Sequence, residues 1–356
     1  MSSTNTTINQ LNTAAATIVL VLAFINFTLG AFGLIFNVLI FTRRSLRREP
    51  CSLYFFWSSC FDLFVVYVMM PLRTLASSFN LDIANYNLWI CKIEYFANYT
   101  TRAITCWLIV FACLDRFFHS STNANIRRMS SLKTTKRAIL IIIVTIMLLY
   151  SHMLVYFEIT NVPDRFGNIV PICNAQKGIY RTFLSFWYMA LYSLCPSLLM
   201  LLFGILTLNN LRQHRQIVPT TSGTNQIVRR TDNQLLRMLI AQVLMIIIAT
   251  LPYSIYQLYT AFTSNVVKDI LRIAQENLAA RITGPLINFA HTTSFYLYTL
   301  TGTVFRKELR KIMQQCRYPN RRLMSSTQGH THILPSNQKV TTTRMVNHKN
   351  NNSFEP

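Results

Sequence analysis

Long apolar runs alternate with short polar segments along this chain. The runs Ile18 to Thr42, Leu53 to Leu75, Leu88 to Phe118, Ala138 to Phe157, Phe183 to Leu208, Gln234 to Phe262 and Ile282 to Val304 are each long enough to cross a bilayer, for which ~20 mostly apolar residues suffice. Lipid offers backbone N–H groups no partner outside the segment itself, so each run is read as a helix. The pattern predicts an all-α membrane protein with seven transmembrane helices, the third and seventh being the more polar. The first run is too long for the core of a cleavable signal, and Arg43, Arg44, Arg47 and Arg48 follow it instead of preceding it, so it is expected to remain as a span.

This divides the chain into an outer terminus (1–17), a helical bundle (18–316) and a tail (317–356). The tail is rich in Ser, Thr, Asn, Gln and basic residues, has few large apolar ones, and is expected to be disordered. Just before it, Phe305, Leu309 and Ile312 alternate with Arg306, Lys307, Arg310 and Lys311, the pattern of a short amphipathic eighth helix lying in a membrane interface.

Composition agrees, with 51% hydrophobic and only 13% charged residues. A net charge of +22 would suit a nucleic-acid partner if it formed one patch. Instead nine Lys and Arg fall on the side of the amino terminus and 25 on the other. This is the asymmetry of a membrane protein with its amino terminus outside and its tail in the cytoplasm, and nucleic acid is excluded. Eight cysteines show no metal-ligand spacing, and no nucleophile, base and oxyanion group converge, so neither a metal nor enzymatic activity is expected. The lack of an internal repeat weighs against a transporter, which, with a channel, remains the competing class.

Residues at fixed stations sharpen the picture. Cys91 opens the third span, and Asp115-Arg116-Phe117 closes it, with 25 positions from the cysteine to the arginine. Asn37, Asp62, Pro196, Pro252 and Phe305-Arg306-Lys307 mark the first, second, fifth, sixth and post-seventh stations. With these the chain resembles the rhodopsin-like G-protein-coupled receptor family over roughly 18–316, as a divergent, invertebrate-type member. The resemblance implies an up-and-down seven-helix bundle at the plasma membrane that binds an extracellular ligand and activates a heterotrimeric G-protein. Arrestin and a receptor kinase are further partners it implies. A weakly signalling orphan receptor is a second alternative, because several switch motifs depart from the family. Phe117 replaces a tyrosine, Ala249-Thr250-Leu251-Pro252 lacks the usual tryptophan, and Ser294-Phe295-Tyr296-Leu297-Tyr298 lacks the usual Asn-Pro.

The resemblance and the topology assign sites. Cys91 and Cys173 are the two cysteines on the oxidising side, where a disulfide persists, and are expected to pair as in the family, two free thiols being the alternative. Asp115, Arg116, Asp232 and Tyr298 would form the G-protein-coupling latch, or an ordinary interfacial salt bridge. Asp62, Asn37, Thr105 and Ser294 resemble the family's sodium pocket, the alternative being a protonated Asp62 bonded to its neighbours.

Arg102 lies eleven positions below Cys91, about 16 Å down a helix. An intramembrane arginine needs a partner, either an acidic ligand group or Asp62. Glu94, Tyr95, Asn98, Arg102, Tyr188, Tyr192, Tyr253, Gln257, Asn288 and His291 are the expected ligand lining, each with ordinary packing as its alternative. Asn98 and Asn288 stand where amine receptors have an aspartate and opsins a lysine, which disfavours both ligand classes. A peptide is favoured by the long loop from Glu158 to Arg181 and by Arg73 and Arg281 near the rim. Asn5 heads a glycosylation sequon, whereas Asn26 and Asn98 head sequons inside spans. Cys316 is a candidate palmitoylation site or a free thiol.

Overall fold

The computed structural model describes residues 2–79, 82–163, 169–217, 223–263, 266 and 268–317. The first helix is Ser2–Phe41 and the third Leu88–Ser120; the fourth, Leu132–Tyr150, is followed by the short turn Met153–Tyr156, and the sixth is Gly223–Phe262. The second and fifth are each interrupted by a π turn: Pro50–Phe64, Val65–Met69, Met70–Phe79, and Ile179–Tyr188, Met189–Leu194, Cys195–Ile217. The seventh runs Ile270–Thr292 and Ser294–Thr301, and the eighth Thr303–Arg317. Among the described residues six helices are long and apolar enough to cross a membrane; the seventh is the more polar, as its sequence requires.

The chain is turned inside out relative to a water-soluble bundle. Phe24, Leu140, Leu148, Ile248 and Ile255 are exposed, while Asn37, Asp62, Arg102, Arg116 and His291 are buried. Polar side chains that lipid could not satisfy point inward and satisfy one another. Helix starts follow local chemistry. Asn87 accepts from the Trp89 and Ile90 N–H groups, Ser131 accepts from Thr134, and Pro50 occupies the first turn of the second helix.

The π turns sit immediately before Pro71 and Pro196. A proline has no N–H, so carbonyls one turn earlier lose their donor. In the fifth helix the Trp107 indole N–H donates to the Leu191 carbonyl at 2.8 Å, and the Cys106 thiol donates to the Tyr192 carbonyl at 3.5 Å. The third helix thereby satisfies the backbone that Pro196 leaves open. The first helix packs tightly against the second and seventh at Gly30, where an added Cβ would lie 2.8 Å from Thr292 Cγ2 and 2.9 Å from Val66 Cγ2.

One element falls outside the all-α expectation. Strands β1 (Phe157–Pro163) and β2 (Ile169–Ala175) pair antiparallel, with Ile159 opposite Cys173, after the fourth helix. At the other end of the bundle Phe41, Phe55, Tyr298 and Phe305 close the core, with Phe55 and Tyr298 ring centroids 5.1 Å apart.

Candidate functional site

The hairpin is fixed over one end of the bundle by a disulfide between Cys91 and Cys173. Its backbone is held as well: the Cys173 N–H donates to Asn85 Oδ1 at 2.8 Å, and the Tyr95 hydroxyl donates to the Cys173 carbonyl at 3.2 Å. Arg73 lies over the Tyr95 ring, 4.0 Å from its centroid, and 3.2 Å from Glu94 Oε1. Glu94 and Tyr95 are thus engaged with Arg73 and the hairpin, not with the deeper cavity.

Two connected features open beneath this cover. A mouth of about 1300 Å³ runs between the hairpin and the fifth and sixth helices and includes Tyr99, Arg181, Tyr188, Gln257 and Lys268. Below it, a cavity of about 270 Å³ is lined by Arg73, Asn98, Arg102, Tyr253, Arg281 and Asn288, with Tyr99 and Tyr188 bordering both spaces. At the rim, Glu276 accepts from Lys268 at 2.6 Å and from the Tyr259 hydroxyl at 2.8 Å, joining the sixth and seventh helices. Burial alone would raise the Glu276 carboxyl, but the bonds from Lys268 and Tyr259 and the nearby charges of Lys268 and Arg272 hold it below the usual carboxylate range.

Arg102 does not pair with Asp62. Its Nε donates to Asn98 Oδ1 at 3.0 Å and its NH2 donates to Asn288 Oδ1 at 2.9 Å. The guanidinium is therefore held between two neutral amides on the third and seventh helices. The arginine is oriented, and its charge faces a cavity whose lining contains no carboxylate.

One turn deeper, Asp62 Oδ1 lies 2.8 Å from His291 Nδ1. Thr105 Oγ1 is 3.3 Å from the same nitrogen, and the Tyr192 hydroxyl is 3.0 Å from Nε2. His291 and Tyr192 thus lie below the cavity of Arg102, not on its wall. Ser294 accepts from Asn37 Nδ2 at 2.9 Å.

The seventh helix is interrupted at Thr293 without a proline at that point. The Thr293 hydroxyl donates to the Phe289 carbonyl at 2.6 Å, and Gln242 of the sixth helix donates to the Ala290 carbonyl at 3.1 Å. A side chain competing for a helical carbonyl loosens the ladder, and Gln242 satisfies the backbone so released.

At the far end Arg116 donates to Asp115 Oδ2 at 3.0 Å, with Glu49 Oε2 at 4.0 Å, while Ser130 donates to Asp115 Oδ1 at 2.8 Å. Tyr298 is buried in the aromatic cluster. Asp232 lies within the sixth helix, Asn5 within the first and Cys316 within the eighth, and the side chains of all three fall outside the described residues. Sequence reasoning missed Glu49, Ser130 and Gln242, whose partners are distant in sequence. It also passed over Asn26, which is fully buried and accepts from the Thr292 hydroxyl at 3.0 Å.

A model of the 7 transmembrane receptor (rhodopsin family) matches residues 32–280, more than half of the chain, and the chain belongs to that family. It is therefore a multi-pass membrane protein of the signalling-receptor class, in a family whose members are receptors rather than enzymes, and the family implies an extracellular ligand and a G-protein partner. Among curated proteins none matches it.

Proposed function

We propose that this receptor lies in the plasma membrane with its disulfide-tethered hairpin outside and binds a peptide carrying an acidic group. Binding drives exchange on a heterotrimeric G-protein at the Arg116 end. The observation that carries the ligand class is Arg102, buried and oriented by two neutral amides in a cavity lined also by Arg73 and Arg281. A buried cation facing a space without carboxylates favours an anionic guest, and desolvation makes the pairing strong. A peptide is favoured by size, because a mouth of about 1300 Å³ exceeds the ~300–1,000 Å³ of small-molecule sites.

The orientation is supported by the one-sided placement of Lys and Arg and by a disulfide that requires an oxidising compartment. A ligand seated on Arg102 competes with Asn98 and Asn288 for its donors and so changes how the third helix is held to the seventh. The Asp115–Arg116 pair at the other end is the contact whose release exposes a G-protein groove, with Asp232 as its expected sixth-helix partner. Asn5 is the glycosylation site of the outer terminus, Cys316 the palmitoylation site, and Ser and Thr of the tail are substrates for a receptor kinase and a dock for arrestin.

The test is a panel of peptides, each made with an acidic end and with that end amidated, applied to cells expressing the chain while second messengers and membrane current are recorded. A second-messenger response to an acid form that is lost on amidation supports the reading. Responses indifferent to amidation overturn the ligand class, and ligand-evoked current without a G-protein response overturns receptor function in favour of transport.

A further inference from the structure

The family resemblance implies a sodium ion beside Asp62, and the side chains around this carboxylate do not fit one. Ion coordination needs oxygen lone pairs converging on a space large enough for the ion or its water. Here the space bordered by Ser58, Asp62, Thr105, Tyr192, Gln242 and His291 has a volume of about 10 Å³, at the lower edge of the ~10–15 Å³ a cavity needs to hold one water, which leaves no room for an ion together with the waters that complete its shell.

The donor set is also wrong. Asp62 Oδ1 faces His291 Nδ1 at 2.8 Å, so this carboxylate oxygen is already engaged by the imidazole, whichever of the two atoms holds the proton. Thr105, whose hydrogen goes to the Arg102 carbonyl at 2.8 Å, has its oxygen 3.3 Å from His291 Nδ1, and the Ser294 oxygen accepts from Asn37 Nδ2 at 2.9 Å, so both face protein nitrogens. The Arg102 guanidinium, on the same helix three residues from Thr105, adds a positive charge on the approach from the ligand cavity.

We infer that the His291 imidazole replaces the ion as a permanent part of the chain. It bridges Asp62 of the second helix, Thr105 of the third and Tyr192 of the fifth to the seventh. A dissociable ligand stabilises a fold by an amount that grows with its concentration, whereas a built-in side chain contributes the same at any salt composition. The middle of this bundle is therefore held together independently of sodium, whatever ligand the cavity above it takes.

The experiment is thermal unfolding of the purified full chain in nanodiscs, in sodium chloride against choline chloride at matched ionic strength. In the wild-type protein the two midpoints coincide. His291→Ala and His291→Ser uncover Asp62 and open space beside it, and their midpoints rise with sodium by about 2–4 °C at concentrations tenfold above the dissociation constant. Asp62→Asn placed in either variant abolishes that rise. A sodium-specific rise in the wild-type protein that Asp62→Asn removes overturns the inference, as does the lack of any sodium response in both His291 variants. Should neither variant fold, sodium-23 line broadening decides on the wild type against Asp62→Asn. Equal narrow lines support the imidazole, and broadening lost with the carboxylate overturns it.

Discussion

The Arg102 guanidinium donates to the Asn288 side-chain oxygen at 2.9 Å, tying the third helix to the seventh along the cavity that both residues line. Three positions from Asn288, His291 reaches Asp62, so a shift of either helix at the cavity is felt at the centre of the bundle. The ligand site and the core are thus consecutive turns of the same two helices.

Removing the Arg102 cation tests its role. Arg102→Ala is expected to weaken an acidic agonist by about 10- to 100-fold, the loss of one charge-assisted hydrogen bond at ~1.5–3 kcal/mol. Arg102→Lys keeps the charge without the fork that spans Asn98 and Asn288, and should recover part of the potency. Concentration–response curves at equal surface expression separate this from misfolding. Unchanged potency in Arg102→Ala would remove the arginine from the ligand site.

At the other end, Asp115→Asn deletes the charge that Arg116 holds at 3.0 Å. If that pair favours the resting state, ligand-free signalling rises about tenfold, a shift of roughly 1.4 kcal/mol. Asp232→Ala should move basal output the same way. Basal second-messenger levels, normalised to receptor number, are the readout, and an unaltered baseline in both variants argues for an ordinary interfacial salt bridge.

Gly30 sits where an added Cβ meets Thr292 and Val66 inside van der Waals contact. Both neighbours are β-branched and stiff, so Gly30→Val should destabilise by about 1–3 kcal/mol. Its unfolding midpoint should fall clearly below that of Gly204→Val, since nothing lies within 4 Å of a Cβ at Gly204. Equal midpoints would show that the first helix has room to shift.

Because the Glu276 carboxyl is held below the usual range, its contribution is present above the unfolded carboxylate pKa and is lost as pH falls through the lower folded value. The difference in unfolding midpoint between the wild type and Glu276→Gln should stay constant from about pH 8 to pH 5 and shrink below about pH 4. A difference that grows on acidification would reverse the assigned sign.

Much of the frame was legible because lipid imposes a simple rule on sequence. Apolar runs marked the spans, and the cysteine pair was fixed by the side of the membrane on which Cys91 and Cys173 fall. The hairpin was not legible: β1 and β2 lie in what reads as one long loop from Glu158 to Arg181, and Cys91 and Asn85, which anchor β2, are distant from it in sequence. The segment Ser294 to Tyr298 lacks the usual Asn-Pro, yet the seventh helix is interrupted just before it, at Thr293, where the Thr293 hydroxyl and Gln242 take up helical carbonyls. Asn98, Arg102 and Asn288 shared a cavity as their helical phases suggested, whereas His291, three residues from Asn288, turned out to face Asp62. A single turn separates ligand wall from core, and helical phase alone does not resolve depth at that scale.

A receptor that passes a ligand signal from Arg102 to Arg116 accelerates nucleotide exchange on its partner. The purified chain in nanodiscs should accelerate guanine-nucleotide exchange on at least one class of heterotrimeric G-protein, more so with an acidic peptide agonist, and Arg116→Ala should abolish the acceleration. Agonist binding that leaves exchange on every class of heterotrimer at its receptor-free rate would contradict the account.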